Sequence, residues 1–340
     1  MQSYVGERVL ITGGASFIGS HLAELLVAHG AHVSIADDFS SGSRENLVEM
    51  VGEVDVLAGD LRDPAFARRA AQGVETVFHL AAAHGGRGYI DTHPVECTNN
   101  MLLDHVVFDA CVAAGAQRIV HASSACVYPT DLQDSEIRRV LLRETDANFE
   151  EPGKAFADGE YGWAKLMGEL QLRAFHKQFG INAIAARIFT AYGERENESH
   201  AVIALIAKAA ARLDPFPIWG DGKQTRNFTY VRDTAQGLAL AGRLTGFEVV
   251  NVGTARHHTV LELLDLIFDH IDWRPMQIDL QEDKPVGVRS RAADTTRIRQ
   301  LTGWEPSTAL ADGVARTTDW YVQTITPERL RELDRLLMTR

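Results

Sequence analysis

A chain of 340 residues, 45% of them apolar, can bury a full core and make one large α/β domain or two smaller ones. Its net charge of -12 excludes a nucleic-acid or anionic-membrane surface and fits a protein that handles small molecules. The three cysteines, Cys97, Cys111 and Cys126, have no C-x-x-C spacing; this excludes a disulfide or zinc framework, so no metal is expected and a reducing, cytoplasmic compartment is.

Residues 9–11 are a β-branched and aliphatic run ending in Thr12-Gly-Gly, so a buried strand should feed a helix that begins near Ser16. No signal-peptide pattern precedes it. The richest apolar stretch, 201–211, contains Lys208, and no membrane span is expected. Glycines in the turn let the backbone approach a pyrophosphate, and the helix start offers it free N–H groups. The expected contacts are Gly13, Ser16, Phe17, Ile18 and Gly19, although Gly-rich turns also serve plain chain reversal. Ile18, Leu22, Leu25 and Leu26 recur at helical spacing and Gly30 stops the helix. The second strand, from Val33, ends at Asp37-Asp38. An acid there can bond both ribose hydroxyls and repel a 2′-phosphate, favouring NAD over NADP; the alternative is that it only caps the following turn.

A third strand, 54–57, ends in Gly59-Asp60-Leu61, with Asp60 placed for the adenine amine. A fourth, 76–80, ends in Ala81-Ala-Ala, small residues that leave room for a flat cofactor. A helix over 99–114 carries Asn100. The fifth strand, from Arg118, runs into Ser123-Ser124-Ala-Cys126-Val-Tyr-Pro. A second long helix opens near Tyr161, and a sixth strand covers 184–189. This alternation predicts an α/β fold with a Rossmann-type doubly wound parallel sheet. Beyond it, 194–219 reads as mostly one amphipathic helix and 249–252 as a returning core strand. A helix over 260–271, a short strand over 276–280 and a last helix over 327–338 follow. The dinucleotide domain is expected at 1–190 and 228–253, and a smaller mixed α/β lobe at 191–227 and 254–340.

Tyr161 and Lys165, four apart, share a helix face, so the ammonium can lower the phenol pKa and let Tyr161 act as a base near neutrality. Taken alone, the pair could equally be a surface helix pair. The glycine turn spaced Gly13-x-x-Ser16-x-x-Gly19, then Ser123-Ser124, then the Tyr-Lys pair, resembles the extended branch of the short-chain dehydrogenase/reductase superfamily, whose members mostly rework nucleotide-sugars. The resemblance implies NAD as cofactor and a nucleoside-diphosphate sugar as substrate. Ser124 and Tyr161 would hold and deprotonate a sugar hydroxyl, Lys165 would contact the nicotinamide ribose, and Asn100 would support that site. It also implies a homodimer joined through the helices near 100–114 and 161–179. The segment from Trp219 through Arg226 to Asp233 looks like the branch's substrate-phosphate segment, with Arg226 on the diphosphate and Arg289 and Arg291 as later contacts. A guanidinium suits a phosphate, but on an acidic protein these arginines could be surface ion-pair partners.

A 4,6-dehydratase would carry an Asp-Glu pair where Ala125 and Cys126 stand, and a uronic-acid decarboxylase a glutamate at Ala125. The run through Cys126, with Gly85-Gly86-Arg87 upstream, is instead similar to the GDP-mannose 3,5-epimerase family. There the cysteine is one acid/base and a lysine is the other; alignment of the segment ending at Lys208 puts His200 in the lysine's place. Thr190, Glu194 and Ser16 depart from that family, pointing to a different sugar or nucleotide. Cys126 could also be a small buried hydrophobe, and His84 competes with His200. The expected enzyme is an NAD-dependent nucleotide-sugar epimerase passing through a 4-keto sugar. Its rivals are a UDP-glucose- or UDP-glucuronate-type 4-epimerase and a cofactor-binding scaffold without turnover.

Overall fold

The computed structural model describes residues 4–135, 137, 139–284, 286–326 and 328–329. Seven strands lie side by side in the order Phe247–Val252, Asn182–Ile188, Arg118–Ser124, Thr76–His79, Arg8–Thr12, His32–Asp37 and Val54–Ala58. Every pairing among them is parallel. The predicted strands and doubly wound topology are therefore present. After the strand Val54–Ala58, at one edge, the chain crosses back to lay Thr76–His79 beside Arg8–Thr12. The crevice at that reversal, above the strands' carboxyl ends, is where an open α/β sheet binds its ligand.

Both faces of the sheet are covered, which is why its strands are apolar almost throughout. Ile11, Leu22, Leu26, Ile35, Leu238 and Val250 pack on one side, and Phe66, Val77, Phe108, Ile119 and Leu172 on the other. A separate core joins the helices Ala201–Ala210, Val260–Ile271 and Leu310–Thr324. Ile298 and Trp304, beyond residue 254, return to the first core.

The segment 194–219 is not one helix. The helix is Ala201–Ala210 alone, and Phe216–Trp219 is a strand. The Asn197 side chain accepts from the Ser199 backbone N–H at 2.9 Å, a local turn that delays the helix start. Arg212 at φ 52° ends it. Periodicity also missed the helix Val231–Ala241, which packs against the first helix, Phe17–Ala28. The helix expected at 327–338 falls outside the described residues except at 328–329.

A small sheet orders His258–Thr259, Thr225–Arg226, Ser290–Ala293 and Leu141–Leu142. Its register sets Arg226 directly beside Arg291, bringing two arginines far apart in sequence to one spot.

Candidate active site

The glycine turn is built for close approach. Gly13 has φ 68°, and a Cβ there would lie 2.9 Å from the Ala81 amide nitrogen, so the turn abuts the end of the fourth strand. A Cβ on Gly19 would come within 2.2 Å of the Gly13 carbonyl oxygen, so only glycine lets the helix sit this tightly on the turn. Ser16 fits the middle position because its φ is -86°, and its hydroxyl donates to the Gly13 carbonyl. It gives the helix Phe17–Ala28 no side-chain cap, and that helix has no acid in its first turn. The N–H groups of Phe17, Ile18 and Gly19 are thus left for a pyrophosphate. These features fit a dinucleotide. Leu61 is buried, and Asn100 clamps Ala83 through both backbone groups at 2.7 and 2.9 Å.

Two adenosine-side acids have protein partners of their own. Asp37 is only 5% exposed, and its carboxylate accepts from the N–H groups of Ala15 and Phe39 at 2.9 and 2.8 Å. It ties the glycine turn to the following loop, and Asp38 beside it is exposed. Asp60 is paired with Arg62 at 2.8 Å, which lowers its pKa.

The strand Arg118–Ser124 separates its two terminal serines by alternation. Ser124 caps the next turn by accepting from the Cys126 N–H at 3.1 Å and lies near enough to the Tyr161 phenol to lower its pKa. Ser123, expected to touch substrate, faces the other way: it is buried and donates to Glu169, itself paired with Arg187 at 2.8 Å. Tyr161 and Lys165 share one face of the helix Gly159–Phe179. The expected lowering of the phenol pKa is not what this arrangement produces. Burial pushes Tyr161 up, Cys126 adds to it, and Ser124 offsets only part. Lys165 is itself buried, which lowers its pKa, and the charge facing it is Asp104.

Around Cys126 and Tyr161 the contacts close a ring. The His84 and His200 rings lie 5.8 Å apart. Gly86 backs onto the Ser199 carbonyl, where a Cβ would be 2.0 Å away, and Gly85 lies under Tyr89. Arg87 bonds Asp158 at 3.0 Å, Arg291 reaches the same carboxylate at 3.3 Å, and Arg291 donates to the Cys126 thiol at 3.4 Å. The protein packed around His84 and His200 lowers both below the ordinary histidine value, although His84 is exposed to solvent and His200 partly so. Arg226 spends its N–H groups on the carbonyls of Thr225 and Val286. Burial and the adjacent Arg291 lower it to about 9, so it keeps its charge at neutrality. Arg87, Arg226 and Arg291 face two carboxylates, Asp158 and Asp91, which leaves one positive charge in excess, as suits a diphosphate. Against burial, Arg291 and Arg87 hold Asp158 below the usual range.

Trp219 packs near Gly88, at the edge of this ring. Arg289 pairs with Asp221 at 3.7 Å on the exposed rim, as the surface alternative had it. Arg291, beside Arg226, bonds Cys126 and Asp158. Lys208 is not presented to substrate either: it is buried, donates to the Pro217 carbonyl at 3.0 Å, and is pulled down to about 8 by burial. Reading the sequence missed Asp158, Asp104, His79 and Glu196, the last 3.4 Å from the His200 ring. Asp158 immediately precedes the catalytic helix and could be read only as a cap; its carboxylate makes no cap bond.

Beneath the site, His121 is fully buried and burial pulls it down to about 3. A lowered histidine adds stability that is complete above its ordinary value of about 6.5 and is lost as pH falls toward the folded value. Urea midpoints between pH 7 and 4.5 are expected to drop, with about 2 kcal/mol of the loss removed in His121→Phe. An identical loss in that variant would show the histidine is not responsible.

A parallel sheet with a glycine turn at its switch point and a Ser-Tyr-Lys set across the crevice defines a dinucleotide-dependent enzyme that removes a proton from a hydroxyl. The model of the NAD dependent epimerase/dehydratase family matches residues 9–253, and the chain belongs to that family and uses NAD. It is 33% identical over 332 residues to GDP-mannose 3,5-epimerase 1 of Oryza sativa subsp. japonica, covering 96% of this chain and 85% of the relative. Among solved structures, the UDP-glucose 4-epimerase of Thermotoga maritima with UDP-glucose is similar at TM-score 0.82 and 26% identity, covering 94% of this chain and all of that one. MoeE5 in complex with UDP-glucuronic acid and NAD is similar at TM-score 0.80 and 30% identity, with the same coverage.

Proposed function

We propose that this protein is a nucleotide-sugar epimerase that works through a transient 4-keto sugar and inverts C3, C5 or both. The observation that carries the reading is the place of Cys126: one turn from Ser124, beside Tyr161, with a guanidinium on its sulfur and two neutral histidines across the cleft. NAD, when bound, accepts the hydride from C4 and returns it, and brings a positive nicotinamide ring to the site. Tyr161, as the phenolate that the positive nicotinamide would favour, takes the proton of the C4 hydroxyl with Ser124 beside it. The resulting ketone acidifies the C–H bonds on C3 and C5. Cys126 and His200, from opposite faces of the ring, remove and replace such a proton, and Arg226 holds the diphosphate. Tyr161 gives its proton back as C4 is reduced, so no net redox occurs. Relatives named for GDP-mannose 3,5-epimerase support this choice.

A second reading, a 4-epimerase that turns the keto sugar over and uses Cys126 for nothing, is favoured by the likeness to UDP-glucose 4-epimerases. Turnover of GDP- and UDP-sugars in deuterated water separates the two. Deuterium on C3 or C5, lost with turnover in Cys126→Ser, is the expected result; inversion at C4 with no label on the ring overturns it. The reading includes a homodimer through the helices Asn100–Ala113 and Gly159–Phe179, on which Leu102, Trp163 and Phe179 stand exposed. It also includes a cytoplasmic setting, in keeping with three free thiols. Among the described residues no helix is long and apolar enough to cross a membrane.

A further inference from the structure

Behind the catalytic helix lies a polar cluster that the reaction as drawn does not use. Asp104, on the helix Asn100–Ala113, is completely buried, as are His79 and His121 on the fourth and fifth strands. A buried carboxylate is costly unless it is paired and hydrogen-bonded. One oxygen is satisfied: His79 Nε2 lies 3.0 Å from Asp104 Oδ1, and His79 Nδ1 lies 2.7 Å from the Thr12 hydroxyl. Thr12 Oγ1 accepts from the N–H groups of Leu80 and Ala81 at 3.1 and 3.2 Å, so its own proton goes to His79 Nδ1. That fixes the tautomer in which Nε2 donates to Asp104.

The other oxygen, Oδ2, has no hydrogen-bond partner among the described residues. It is turned toward Gly168, where a Cβ would come within 2.4 Å of it. Gly168 is three residues beyond Lys165 and shares its helix face, so the oxygen sits under the root of the lysine. Lys165 is 2% exposed, and its charge and that of Asp104 act on each other. His121 also faces Oδ2, at 3.7 Å, but burial keeps it neutral near pH 7. His84, near Lys165, is likewise held below its ordinary value, and on the lysine's own helix Tyr161 lies four residues before it while Glu169, four residues beyond, is paired with Arg187.

We propose that Asp104 is a positioning residue for Lys165: its buried carboxylate, anchored through His79 to Thr12 at the end of the first strand, is the counter-charge that directs the lysine ammonium into the NAD crevice. The same anchor holds the N–H groups of Leu80 and Ala81, which border the crevice, so the cofactor wall and its cation are set by one network. The atoms of His79, Asp104 and His121 lie within 4.8 Å of one another, a spacing a transition metal could use. The Lys165 ammonium already supplies positive charge there, and a divalent cation would have to stand against it.

The inference rests on NAD binding with Lys165 at the cofactor, and not on which ring carbon is inverted. It is tested without any sugar by titration calorimetry of NAD against pH. Wild-type affinity should hold through neutrality and fall at a basic step as Lys165 loses its proton, and Lys165→Met should abolish the step. In Asp104→Asn the step should move down by at least one pH unit, a tenfold change in proton affinity, because an opposing charge no longer favours the ammonium. A folded Asp104→Asn with an unmoved step overturns the proposal, as does stoichiometric zinc in the purified protein. If neither Asp104→Asn nor Asp104→Ser folds, Lys165→Met decides: it leaves the carboxylate unpaired and should melt lower than wild type, and an unchanged melting temperature overturns the pairing. Turnover that is normal while the step is unmoved would sink this proposal and leave the epimerase reading standing.

Discussion

Replacement of Tyr161 by phenylalanine is expected to lower turnover roughly 10²–10⁴-fold while leaving NAD binding and the melting temperature close to wild type. The change removes one hydroxyl and keeps the ring, so packing of the helix Gly159–Phe179 is preserved. What is lost is the hydroxyl that the proposed reaction uses as its base beside Ser124. In this fold burial holds the phenol pKa up, so Tyr161 is a poor base until other charges reach it. The rate should therefore rise with pH more steeply than a pre-ionised phenolate would allow. Pre-steady-state absorbance at 340 nm reads the first half-reaction directly. If Tyr161→Phe reduced NAD as fast as wild type with the same substrate, another group would have to be the base.

The second large effect concerns stability. Glu169 and Arg187 are each about 2% exposed and form a bidentate pair, 2.9 and 2.8 Å. Arg187 also donates to the carbonyls of Glu144 and Ala147 and lies 4.9 Å from the Tyr128 ring centre. Glu169→Ala strands a buried guanidinium and is expected to cost about 3–5 kcal/mol, read from urea midpoints. Glu169→Met with Arg187→Met removes both charges and should lose much less. The loss should also reach the active site, because Ser123 is anchored on Glu169, and that anchor, through strand alternation, turns Ser124 to the crevice. A double variant as unstable as the single one would show that shape, not charge, holds this corner.

Much of this was legible in the chain itself. The strand-turn-helix at Gly13, the alternation that makes a parallel sheet, and the Tyr161–Lys165 face all depend on neighbours within a few residues, where backbone sterics and helical geometry dictate the outcome. The helix Val260–Ile271 has the same origin, since Thr259 and Glu262 cap it reciprocally. The segment 194–219 was misread because the apolar run of Ala201–Ala210 was extended over a turn set by Asn197 and over a strand pairing with Ile278–Gln281.

By itself, then, the sequence determined the kind of fold, the cofactor turn and the shared helix face of Tyr161 and Lys165. Only tertiary structure decided which way each polar group faces. Arg291 meets Cys126 across 165 positions, Ser123 meets Glu169 across 46, and His79 meets Asp104 across 25. It likewise turned Asp37 inward and Lys208 into the lobe. Such pairings are chosen by the cost of burying a charge, which is set by whatever distant segment packs against it, and no local pattern of residues encodes that partner.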